Sequence, residues 1–435
     1  MCATKMVRQC VLRIALVLIA LIPLSIRAQA RAQTVSPSPN GSRSPVDAEL
    51  KPGTVIDASN LDQYARYVPA AAKFAVAHGF RMRINPARRV EWSQGFQHAT
   101  EKYGQASLDN NDYLNNYIAG MPFPLLDPSD PNAAVKIAYN WHMGPFMPDD
   151  FAVAPWSSNG YSADPTNASR IVANSDADYG CEQFQFLRFA HRTDVDPRPT
   201  LGSDSLGVEW KARCNRWIAD RSGNSEGAGI WVRYLDPTHA DEFFSFDERS
   251  RRIRRMGVNL AYPSEACRGC HQPYWAYALP KTENYLYRLL GTTTILACLA
   301  SDDEPAGFKT TSGSVALGDE PFELRHAYIL EMRPRFPKGA QESAMRSVIY
   351  IDSEVYVWLA AEFYDGGGLT ASTIPLWRMH PSSEGGSLFD LAGTFYHPEG
   401  AGSFFRSLVP AHSEFQQAIN RGDLSEGAFN PLMMH

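Results

Sequence analysis

Ser347-Val348-Ile349-Tyr350-Ile351-Asp352, then Val355-Tyr356-Val357-Trp358-Leu359-Ala360-Ala361-Glu362-Phe363-Tyr364, then Asp365-Gly366-Gly367-Gly368: this stretch decides the fold. Both apolar runs are rich in β-branched and aromatic residues, which suit a pleated, half-buried surface. Runs of this length with a Gly-rich cluster after them read as antiparallel strands. A period of two places Val355, Val357 and Leu359 on one face and Tyr356, Trp358 and Ala360 on the other. If the inner face holds a ligand, the aliphatic set Val355, Val357 and Leu359 is the expected lining.

The same texture recurs from about residue 180 onward. Phe184-Gln185-Phe186-Leu187-Arg188-Phe189 alternates, Ile230 to Tyr234 precedes Asp236-Pro237, and Phe243 to Phe246 precedes Asp247-Glu248. Ala327 to Met332 ends near Pro334. Together they predict an antiparallel meander. Arg249 to Arg255 is interrupted by Ser250 and Ile253 and reads as a solvated strand face. Upstream the texture is different. Tyr64, Tyr67, Val68, Ala71 and Phe74 recur at helical spacing, and Val135, Ile137, Ala138 and Trp141 predict a helix from Ala133. Gly104 to Pro131 is turn-rich.

The N-terminus sets the expected compartment. Lys5, Arg8 and Arg13 precede the apolar run Ile14–Ile22, and Pro23 ends it. Ala28-Gln29-Ala30 and Ala30-Arg31-Ala32 offer small residues for cleavage. The pattern reads as a secretory signal peptide over 1–30, with a mature start near Arg31 or Gln33. The run is too short to span a bilayer. No cysteine follows it directly, so a lipoprotein anchor is not expected. The expected location is the periplasm or the outer-membrane periphery. Residues 31–50, rich in Ser and Pro, read as a flexible linker. The rest divides into a helical, turn-rich part at 51–179, β structure at 180–396 and a C-terminal extension at 397–435.

The chain has 435 residues and 44% hydrophobic composition, ordinary for a globular protein. Net charge is −6, and the signal segment carries four basic residues and no acid, so the remainder is more acidic still. No basic footprint points to nucleic acid. No nucleophile elbow, nucleotide loop or His-Glu-x-x-His is present, and no enzymatic role is expected.

Asn116-Tyr117-Ile118-Ala119-Gly120-Met121-Pro122-Phe123-Pro124 is the first segment of a set of motifs in fixed order. Asp127-Pro128-Ser129-Asp130-Pro131 and Lys136-Ile137-Ala138-Tyr139-Asn140 follow it. Asp236-Pro237 with Arg251-Arg252-Ile253-Arg254-Arg255 comes next. Tyr350-Ile351-Asp352, Tyr364-Asp365-Gly366 and Leu376-Trp377-Arg378 complete the set. In these the chain, over roughly Val68 to Tyr396, resembles the exported Gram-negative family called domain of unknown function 1329, in the superfamily of the lipoprotein carriers LolA and LolB. The resemblance implies a mainly β (α+β) fold: an antiparallel sheet curled into an incomplete β-barrel, with helices covering the open side. It also implies an apolar concave face that holds acyl chains, and no catalytic residues.

Two features depart from the family pattern. Gly367 to Pro375 lengthens one loop. The other is Cys267-Arg268-Gly269-Cys270-His271, the attachment signature of a covalent c-type haem with His271 as iron ligand. Its alternatives stay open: a small disulfide between Cys267 and Cys270, a bond from one of them to Cys298, or, with less support, a zinc site. Five of the seven cysteines lie beyond the signal segment, an odd number for an oxidising compartment. Cys181 and Cys214 are the expected disulfide. Trp141-His142-Met143 reads as core packing beside a polar handle. Two functions remain. One is a carrier for a hydrophobic, lipid-like molecule with an envelope transport partner. The other is a haem electron-transfer protein with a redox partner.

Overall fold

The strand Asp319–Pro334 organises the molecule. Tyr328, Leu330 and Met332 on one of its faces are buried in the main apolar core, while Glu331 and Arg333 on the other meet charged neighbours. It pairs antiparallel with Tyr285–Ala297 on one side and Arg346–Asp352 on the other. Its first residues, Asp319 to Phe322, pair parallel with Arg81–Ile84.

The computed structural model describes residues 50–144, 148–153, 156–164, 167–173, 179–181, 183–202, 207–215, 217–218, 227–247, 250–257, 281–300, 309–311, 314–316, 319–335, 346–383, 385–398, 405–410, 413–415, 419 and 424. All lie within Ala48–His435, which forms one contact unit.

From Arg346–Asp352 the large sheet runs through Trp358–Asp365, Gly368–Pro381, Ser387–Pro398, Phe405–Pro410, Trp156–Asp164 and Asn167–Ala173. It is an open, curled, mostly antiparallel sheet. A second sheet has the order Arg252–Gly257, Glu242–Asp247, Gly227–Tyr234, Val208–Cys214, Phe184–Arg188, Asp150–Val153 and Ser413–Phe415. The arginine strand is the edge of this sheet, and Arg252 and Arg254 are exposed, as the interrupted charge run predicts.

The deciding stretch forms strands, with one local difference. The second strand begins at Trp358, not Val355. The Asp352 carboxylate accepts the backbone N–H groups of Glu354 and Val355 at 2.8 and 2.9 Å, and Arg325 grips the same carboxylate at 2.7 and 3.1 Å. This closes a turn in which Tyr356 takes φ +57°. Alternation therefore fails here: Val355, Tyr356, Val357, Trp358 and Leu359 are all buried.

The boundaries expected at 179 and 397 also fall inside the sheets. Asp150–Val153, Trp156–Asp164 and Asn167–Ala173 are strands, although they were expected to be helical and turn-rich. Phe405–Pro410 and Ser413–Phe415, in the expected extension, pair with Trp156–Asp164 and Asp150–Val153. Trp156–Asp164 is largely polar and the others are brief or mixed in composition, so local pattern hides them, and pairing with distant partners makes them.

The described residues before Asp150 include four α-helices: α1 (Leu61–Tyr64), α2 (Ala70–Ala77), α3 (Gln94–Tyr103) and α4 (Ala133–His142). Ser93 caps α3 by accepting the Phe96 N–H at 3.2 Å. α2 packs on Gly368–Pro381 and Ser387–Pro398, and α4 packs on Tyr285–Ala297. The Asn116–Pro124 segment is tied down between α3 and α4. Thr100 Oγ1 accepts the Met121 N–H at 2.8 Å, and Asn140 exchanges two hydrogen bonds with the Phe123 backbone at 2.9 and 2.8 Å. Gly120 sits at φ +83°, and a Cβ there would come 2.4 Å from Thr100 N. That position needs glycine on both counts.

Candidate functional site

Two regions differ in chemistry. The first is the apolar face of the large sheet. Leu330, Ile349, Ile351, Leu376, Trp377 and Phe389 are buried in one cluster with Ala71, Ala72, Ala75 and Val76 of α2. Val355, Val357 and Leu359 belong to this cluster too. The buried residues of the helix are Ala71, Ala72, Ala75 and Val76, and its Phe74 ring stacks on His397 of Ser387–Pro398 with centroids 3.8 Å apart.

The second region is a cavity of about 190 Å³ near one end of the second sheet. Its walls come from the Leu114–Tyr117 segment, the end of α4, His191, Glu209, the Arg233–Pro237 strand end and Lys281–Glu283. On α4 the residues Tyr139, His142 and Met143 recur at spacings of three and four, which puts them on one face of the turn.

His142 is the centre of a buried polar chain. Its Nε2 lies 2.6 Å from Arg233 Nη1 and its Nδ1 lies 2.7 Å from Thr282 Oγ1. The guanidinium can only donate, so Nε2 accepts and the ring proton sits on Nδ1. Burial, then the Arg233 charge, holds the imidazole pKa well below its ordinary value and keeps the ring neutral. Arg233 also grips Asp241 Oδ2 through Nε and Nη2 at 3.0 and 2.9 Å. Lys281 Nζ donates to the carbonyls of Asp236 and His239, and burial lowers its pKa. Tyr139 Oη donates to Glu283 Oε1 at 3.1 Å, and loss of solvent raises the Glu283 pKa.

Glu209 differs from these groups. It is 6% exposed and lines the cavity, yet no hydrogen bond or ion pair reaches its carboxylate among the described residues. Burial raises its pKa. The backbone explains how it got there. Pairing with Gly227–Tyr234 slips register between Val208 and Trp210, so Glu209 is the residue left over. On its other side Phe189 and Ala190 both donate to the Glu209 carbonyl, at 2.8 and 3.2 Å. A bulge re-aims a side chain that regular alternation would place elsewhere.

Cys267, Cys270 and His271 lie outside the described residues. Cys214 is disulfide-bonded, and the side chain of its expected partner Cys181 also lies outside them. Cys298 is free and buried, so it is not the partner of Cys267 or Cys270. No group of three or more metal-ligating side chains occurs among the described residues. Sequence reading did not find Glu209, Arg233, Lys281 or Glu283. It did find His142, as the polar handle beside Trp141.

Residues 55–175 match the family described as "Protein of unknown function (DUF1329)". Among solved structures, the chain is similar to a DUF1329 family protein from Desulfovibrio piger. Identity is 12%, the TM-score is 0.42, and the match covers 67% of this chain and 95% of that one. It is also similar to a LolA superfamily protein from Nitrosomonas europaea, at 11% identity and TM-score 0.38 over 68% of this chain and 98% of that one. Comparison with curated proteins finds no match.

Proposed function

We propose that the protein is a binding protein of the periplasm or outer-membrane periphery that carries a hydrophobic, lipid-like molecule. One observation supports this above others: the apolar face of an open curled sheet lies beneath α2, whose buried residues are Ala71, Ala72, Ala75 and Val76 and whose Phe74 ring stacks on His397. Small buried side chains give little dispersion energy per residue, so in this reading the helix lifts once the Phe74–His397 stack opens. An acyl chain entering there would replace helix–sheet contact with chain–sheet contact, and Val355, Val357 and Leu359 belong to the same buried cluster. In this reading α2 and α4 cover the open side of the sheet.

The test is native mass spectrometry of protein taken from the envelope fraction, with titration of a fluorescent long-chain fatty acid. A co-purifying lipid and saturable one-to-one uptake are expected. Bare polypeptide with no saturable uptake overturns the reading.

A second reading is kept by a specific observation. Cys298 is free, which leaves a bond between Cys267 and Cys270, or a haem, as the readings for that pair. If Cys214 pairs with Cys181, the Cys-x-x-Cys-His segment can take a covalent haem c, with His271 as iron ligand. Expression with cytochrome-maturation machinery should then give a pigment that survives acid–acetone extraction and is lost in Cys267→Ser. A colourless product with the mass of the bare chain excludes it.

A further inference from the structure

The cavity around Glu209 has an imbalance of hydrogen-bonding groups. Several donors at its wall are engaged: Arg233 with Asp241 and His142, Lys281 with two carbonyls, Tyr139 with Glu283, and Tyr117 Oη with the Gly120 carbonyl at 2.7 Å. Two acceptors are not. One is the Glu209 carboxylate. The other is His191 Nε2, because His191 Nδ1 donates to the Ile118 carbonyl at 2.7 Å and a neutral ring then offers its second nitrogen as an acceptor. His191 stays neutral at ordinary pH, since burial pushes its pKa down to about 4. A buried carboxylate with no hydrogen bond is costly, and the charges of Arg233, Arg188 and Lys281 offset its burial only in part. A bulge that aims it into a cavity keeps that cost where a ligand can remove it.

We propose that this cavity is a binding site for a small primary ammonium ion, with Glu209 as its counter-ion and His191 Nε2 as a second acceptor. An ammonium has N–H groups for both unengaged acceptors, which line the same cavity, and a charge for a carboxylate that no residue hydrogen-bonds among the described residues. Tyr117, Tyr139 and Tyr234 line the same space. The volume of about 190 Å³ holds about six waters' worth of liquid. The ligand is therefore a short amine and not a lipid. The site is separate from the sheet face of the carrier reading and stands or falls without it.

The test is calorimetric titration of the full chain with three probes: butylammonium, tetramethylammonium and butyrate. Butylammonium should bind saturably. Tetramethylammonium, which has the charge but no N–H, should bind about tenfold more weakly or not at all. Glu209→Gln should weaken butylammonium by about tenfold or more, and His191→Ala should weaken it by less. Butyrate binding as tightly as butylammonium would show an anion site and overturn the proposal. So would absence of butylammonium binding to the folded wild-type chain, or unchanged binding in Glu209→Gln. If Glu209→Gln does not fold, the ranking of the three probes on the wild type still decides.

Discussion

The two sheets differ in how their buried charges are met. The large sheet buries aliphatic and aromatic side chains against helices, and its buried carboxylates Asp352 and Glu323 are paired with Arg325, and Glu331 with Arg288, Arg333 and Arg346. The second sheet has a small apolar core of its own, around Leu187, Ile230, Val232 and Phe246. Beside that core, Arg233, Asp241, His142 and Glu209 are drawn inside. Apolar contact is non-directional and tolerates many occupants. A buried charged network is directional, and each unmatched atom in it is costly. The first interior suits a greasy ligand of variable shape. The second suits one small ligand of fixed charge.

The sharpest way to break this contrast is Arg233→Ala. It strands the Asp241 carboxylate and the His142 acceptor inside the protein, and should cost about 3–5 kcal/mol in urea unfolding. A loss below 1 kcal/mol would mean that water reaches the network and that the second sheet has no distinctive interior. On the large sheet, Leu330→Ala should cost about 2–5 kcal/mol by the same measurement, from lost transfer energy and the cavity left behind.

Glu209→Gln should have a smaller effect, of opposite sign. A carboxyl whose pKa is raised on folding contributes stability that is present below its unfolded pKa and is lost as pH rises through the folded value. Replacing it should therefore raise the melting temperature by a few degrees at pH 7, and the gain should disappear on acidification below about pH 4.5. His142 runs the other way. Its depressed pKa makes its contribution full above about pH 6.5 and diminishing as pH falls below that. A wild-type melting curve followed against pH should show this acid loss, and His142→Gln should reduce it. The smallest effect belongs to Arg89→Ala. Arg89 and Glu91 are 3.9 Å apart and 89% and 65% exposed, so thermal melting should move by less than about 0.5 kcal/mol equivalent.

Sequence pattern reached most of the large sheet, because Arg346–Asp352 and its neighbours carry strand composition and strand punctuation. The motif resemblance was also sound where it can be checked: Asn116–Pro124, Asp127–Pro131 and Lys136–Asn140 all lie inside the matched residues 55–175. Pattern failed where pairing, not composition, makes the element. Trp156–Asp164 is polar, and its strand form comes from partners far along the chain. It failed again at Glu209, because Val208-Glu209-Trp210 reads as ordinary alternation and the bulge is created by strands on both sides. The turn at Asp352 shows the converse. There a single buried carboxylate, held by Arg325, overrides the β preference of Val355 and Val357.

The parallel pairing of Arg81–Ile84 with Asp319–Phe322 joins segments separated by more than half the chain. Closing so long a loop is paid for in entropy before any contact made by the pair returns it, and folds dominated by such pairings form slowly. The Arg81–Ile84 strand has no seat in the large sheet until the chain beyond residue 319 exists. A nascent chain that stops short of it has Val55–Ile56 as a neighbour on one edge of this strand, while the other edge, beside Met82 and Ile84, still lacks its partner. Such an edge is open to wrong partners. The later part of the chain thus supplies the edge that joins Arg81–Ile84 to the large sheet, and that junction cannot form in the order of synthesis.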